Sequence, residues 1–194
     1  MSGVTPITPR VSAHLRDLLT QRIPQEAAAR RQVLADPRWQ VTWDMTAVER
    51  ASIRAAARAH IADMRERGEL LDTVDALMTH AVRIELTRRG WDHDWPPVPN
   101  IAPRAGRWPG SVDQQWPAKI NARLPADLVA RVHAACWHTS AEAIGELRRW
   151  RDNHPEVVTE HRAPTLWAQY KALADQVTTP GDVWRQALGR LLAP

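Results

Sequence analysis

The chain has 194 residues, a net charge of +4, 44% hydrophobic residues and 25% charged residues, a balance that suits a soluble globular protein long enough to bury its own core. No segment is a polybasic tail, so charge permits nucleic-acid binding without demanding it. The single cysteine, Cys136, excludes a framework of internal disulfides and fits a reducing compartment.

The opening residues "MSGVTPITPR" lack the apolar stretch of a secretory leader, and no apolar run approaches the ~18 residues of a membrane span. A cytoplasmic location with no membrane partner is expected. Phe is absent and Trp occurs ten times, so tryptophan must carry the aromatic packing.

Residues 1–37 read as an N-terminal helical arm. "PRVSAHLRDLLTQRI" and "PQEAAARRQVLA" predict two short helices, each with proline near its start, and Leu15, Leu18 and Leu19 form an apolar stripe. Residues 38–90 read as a strand-helix-helix unit. Trp39, Val41, Trp43 and Met45 alternate with Arg38, Gln40, Thr42 and Asp44, the pattern of a half-buried strand. Thr46 with Glu49 predicts a capping box and a helix start. Ile53, Ala57, Ile61 and Met64 continue at helical spacing up to Gly68, and Asp72 can cap a second helix closed by Gly90.

Residues 91–118 hold six prolines and four tryptophans. They read as an ordered, extended connection pinned by Trp91, Trp95, Trp108 and Trp116. Residues 119–155 read as a second strand-helix-helix unit. In "AKINARLP", Lys119, Asn121 and Arg123 fall on one side and Ile120, Ala122 and Leu124 on the other. Pro125 starts a helix, and Thr139 or Ser140 is placed to cap the next. Residues 156–194 predict a C-terminal helix pair, with Thr179–Pro180 opening the last helix.

The elements predict a mainly α protein, a helical bundle with one short two-stranded antiparallel ribbon that pairs 39–45 with 119–124. "KINARLPADLVARV" and, further on, "TSAEAIGEL" resemble the ribbon-helix-helix family of DNA-binding proteins, in which a polar–apolar strand precedes a proline-started helix and a Ser/Thr-capped second helix. The resemblance implies a reading ribbon for double-stranded DNA. Family members form it as dimers; here one chain supplies both halves, and the dimer's symmetry becomes internal.

A ribbon of this kind fits the major groove, where Arg bridges guanine acceptors and Asn or Gln pairs with adenine. The candidate DNA-binding residues are Asn121 and Arg123 as base readers, Gln40 and Thr42 as further candidates, and Lys119 on phosphate. The helix start at Thr139 and Ser140 would hold another phosphate. Against these stands the plain reading of a solvated face on a small sheet.

His133, Cys136 and His138 are too few for a structural zinc site, and "DHDW" at 92–95 reads as a surface loop. Arg148, Arg149 and Arg151 suit a helix C-terminus whether or not DNA is bound. No catalytic constellation, metal site or cofactor motif is apparent in local spacing. The expectation is a non-enzymatic, sequence-specific DNA-binding protein without cofactors, a transcriptional regulator or a plasmid or phage maintenance factor. The alternative is a helical protein–protein interaction module, antitoxin-like or an assembly adaptor, with a homodimer or a protein as its partner.

Overall fold

A computed structural model describes residues 3–100, 102, 108–109, 116–157 and 163–193; the connection expected over 91–118 lies partly outside them. The protein is mainly helical with a short antiparallel ribbon. In chain order the elements are β1 (Val4–Ile7), β2 (Arg10–Val11), α1 (Ala13–Leu34), a turn of 3-10 helix (Pro37–Trp39), α2 (Ala47–Arg67), α3 (Val74–Arg89), β3 (Ala118–Lys119), β4 (Ala122–Pro125), α4 (Ala126–Asn153), α5 (Pro164–Ala174) and α6 (Pro180–Leu192). No helix among the described residues is long and apolar enough to cross a membrane.

The strand at 118–125 forms, but its partner is not 39–45. β1 pairs antiparallel with β4, Pro6 opposite Arg123 and Ile7 opposite Ala122, and β2 pairs with β3, Arg10 opposite Lys119. One register runs through both ladders, because the Ile120 amide donates to the Pro9 carbonyl at 3.1 Å between them. Pro9 has no N–H to return that bond, which explains why regular pairing lapses at this point. Residues 37–39 form the 3-10 turn, opened by Asp36 as cap and Pro37. Beyond it Trp43 is 93% exposed, so the alternation at 39–45 lacks the buried face that a strand would need.

Two helices run on where breaks were expected. α1 is continuous through Pro24, with Ser12 as its cap. Proline frees the carbonyl one turn back, that of Thr20; both residues are exposed, so water can meet that group. α4 passes through Thr139 and Ser140 without a break. The Thr139 hydroxyl donates back to the Ala135 carbonyl at 2.7 Å, and that of buried Ser140 accepts from the Thr178 amide at 3.0 Å. Neither side chain is left to cap a helix. The expected capping box at Thr46 and Glu49 is present, and Gly68 and Gly90 end α2 and α3 at φ of 76° and 67°, a region glycine enters at little cost.

The core joins the inward ribbon residues Val11, Ala118, Ile120, Ala122 and Leu124 to Leu77, Met78 and Val82 of α3, Leu128 and Val132 of α4, and Val183 and Leu188 of α6. An internal correspondence organises it. Each ribbon strand runs directly into a helix, so "PITPRVSAHL" lies over "KINARLPADL", Ile7 over Ile120, Arg10 over Arg123 and Leu15 over Leu128. α1 touches β3 as α4 touches β1, and α3 lies against β4 as α6 lies against β2. Thr73 and Thr179 cap α3 and α6, and buried Leu77, Met78, Ala81 and Val82 match buried Val183, Trp184, Ala187 and Leu188. The ribbon, α1 with α4, and α3 with α6 thus follow an approximate two-fold relation, which the register centres on the Thr8–Asn121 pair.

Candidate nucleic-acid interface

The outer face of the ribbon follows from the register. Along 4–11 the residues alternate between exposed Val4, Pro6, Thr8 and Arg10 and the more buried Thr5, Ile7, Pro9 and Val11; along 118–124, Lys119, Asn121 and Arg123 are exposed. Cross-strand pairing then sets three rungs: Pro6 beside Arg123, Thr8 beside Asn121, and Arg10 beside Lys119. The central rung is tied by the Thr8 hydroxyl donating to Asn121 Oδ1 at 3.2 Å. Successive rungs are about 7 Å apart, two residues at ~3.4 Å each.

The ribbon has firm backing. Its inward residues are core, and the Arg123 amide, which points away from β1, donates to Asp75 Oδ1 at 2.9 Å. At the other end Arg185 donates to the Arg10 carbonyl at 3.2 Å and lies over Trp116. The side chains of Arg10, Lys119 and Arg123 form no ion pair among the described residues. Among the described residues, the other polar side chains on this face of the ribbon are those of Thr8 and Asn121.

Lys119, Asn121 and Arg123 thus share one exposed face. Gln40 and Thr42 do not join it: Gln40 donates to the Leu34 carbonyl at 2.9 Å, and Thr42 lies in a stretch that forms no strand, where it helps hold the Asp44 carboxyl below the usual range. Thr139 and Ser140 lie inside α4 with their hydroxyls committed, so no helix start offers amides to a phosphate there. Arg10 and Thr8 were missed. The signal that finds them is the internal repeat, which sets Arg10 over Arg123.

The other clusters are accounted for within the fold. Cys136 is fully buried and burial raises its thiol. Burial also lowers His133, beside Trp108, while His138 stacks on Trp95 and bonds the Pro96 carbonyl. No group of three or more His, Cys, Asp or Glu among the described residues could hold a metal ion. No protein-family model, curated protein or solved structure matches the chain.

Proposed function

We propose that the chain is a sequence-specific double-stranded DNA-binding protein, similar to the ribbon-helix-helix family, that reads the major groove with the outer face of its ribbon. One observation supports this best: Arg10, Thr8, Asn121, Lys119 and Arg123 lie together, exposed, on two register-locked strands backed by core. A two-stranded ribbon fits the groove, Arg can bridge guanine O6 and N7, and Asn can pair with adenine. Transcriptional regulation, or maintenance of a plasmid or phage, is the role this chemistry serves. Selection from a random duplex library tests the reading. A motif should be enriched, its affinity should fall as salt rises, and its preference should relax in Arg10→Ala, Asn121→Ala and Arg123→Ala. No enrichment would overturn it.

A second reading, a protein–protein interaction module, rests on Trp43 and Val48, 93% and 79% exposed around the start of α2. If that tip holds a second copy of the chain, Trp43→Asp should convert a dimer to a monomer in sedimentation.

A further inference from the structure

The ribbon's outer face obeys the two-fold relation in some positions and breaks it in others. The axis through Thr8–Asn121 exchanges Arg10 with Arg123, so the two arginines are equivalent. It also exchanges Lys119 with Pro6, which are not. One end of the ribbon therefore carries Arg10 beside Lys119, and the other carries Arg123 beside Pro6, with exposed Val4 one rung further out. At the centre the axis exchanges Thr8 with Asn121, again unlike groups. The face has one end with two cations and one end with a single cation among apolar residues.

Building on the DNA reading, we infer that the protein binds an asymmetric duplex site in one fixed orientation. In a two-chain ribbon both ends are the same by construction, and the target mirrors that symmetry. Here the covalent joining of the halves lets each end differ.

The geometry assigns the parts. Arg10 and Arg123 are four residues apart along the ribbon, about 14 Å at ~3.4 Å per residue, which spans about four base-pair steps. They would take two-fold-related guanines on opposite strands. At the basic end Lys119 adds a second cation, suited to a guanine beside the one Arg10 takes. At the other end Pro6 and Val4 offer only apolar surface, suited to thymine methyl groups. Asn121, with Thr8 held to it, fixes the asymmetry of the centre.

The test uses the full chain and the motif enriched from a random duplex library, with each base pair then substituted in turn. Arg10→Ala should relax the preference at one outer guanine and Arg123→Ala at its two-fold mate, each by about ten-fold or more. The bases beside the two guanines should differ in wild type. Lys119→Ala should flatten the preference at the basic end alone, and Pro6→Lys should make the two halves more alike; circular dichroism checks that both fold. A perfectly palindromic motif would overturn the inference and leave DNA binding intact. So would Arg10→Ala and Arg123→Ala relaxing the same base pair, or Lys119→Ala affecting both ends equally. Failure of wild type to enrich any motif would overturn the DNA reading itself, and this inference with it.

Discussion

Glu85 is the sharpest test of how the helical core is held. Its side chain is 1% exposed, on the face of α3 that meets α6. Arg88 donates to it through Nε at 2.9 Å and Nη2 at 2.7 Å, Arg89 donates through Nε at 2.6 Å, and Arg190 lies 3.2 Å away. The arginines differ in what they lose without it. Arg88 and Arg190 keep 44% and 55% of their side chains in solvent, so water can take over. Arg89 keeps only 14% and is also fixed by Gln186 at 2.6 Å and by the ring of Trp91.

Glu85→Ala therefore leaves one partly buried guanidinium without its counter-charge, at a cost of about 3–5 kcal/mol. Arg88→Ala and Arg190→Ala should each cost under about 1 kcal/mol, as exposed pairs do. Urea unfolding of the four proteins at pH 7 measures this. The hydrogen bond from Arg88 is the largest cause holding the Glu85 carboxyl below its usual range, against desolvation, which raises it. Its stabilising contribution is complete above the unfolded value, about 4.3, and is lost as pH falls through the lower folded value. Glu85→Gln should lack that acid-side loss. A Glu85→Ala cost below about 1 kcal/mol, or one no larger than those of Arg88→Ala and Arg190→Ala, would contradict this.

Gly68→Ala should destabilise more than Gly90→Ala: both glycines have positive φ, but only at Gly68 would a new Cβ run into the His80 ring, so thermal unfolding should show the first well above the roughly 1 kcal/mol expected of the second. Thr46→Ala removes the hydroxyl half of the capping box, leaving the residue-46 amide still donating to Glu49, and should cost about 1 kcal/mol, whereas Thr139→Ala, inside α4 with an exposed side chain, should stay within about 0.5 kcal/mol. His133 has its pKa lowered by burial. Below about pH 6.5 the unfolded chain takes up a proton that the folded one resists, so stability falls with pH there. His133→Leu should show a shallower fall between pH 7 and pH 5 in the same unfolding assay.

How much of this was legible in the sequence differs by element. The strand at 119–124, which forms as Ala118–Lys119 and Ala122–Pro125, is a local signal, as are the capping box at Thr46 and the stops at Gly68 and Gly90, which appear as read. The partner strand "VTPITPRV" was hidden by its two prolines, which normally argue against a strand. They are tolerated here because a two-stranded ribbon has a free edge on each side, so Pro6 needs no N–H toward β4 and Pro9 gives up only one bond. The run at 39–45 had the better alternation but nothing to bury it against, which periodicity alone does not reveal. Thr139 and Ser140 looked like caps because Thr178, the partner that occupies Ser140, lies far along the chain. Half of the candidate face was therefore readable, and the half built from Thr8 and Arg10 required knowing the pairing.

The most direct test of the central claim is the ratio of affinities for the enriched duplex and for a scrambled duplex, compared between wild type, Arg10→Ala and Arg123→Ala at one salt concentration. If the ribbon's outer face reads bases, each substitution should lower that ratio about 10- to 100-fold, the equivalent of ~1–3 kcal/mol per bidentate contact, with helical content unchanged. A ratio that stays at the wild-type value in both variants would contradict the account, leaving the ribbon as the solvated edge of a helical core.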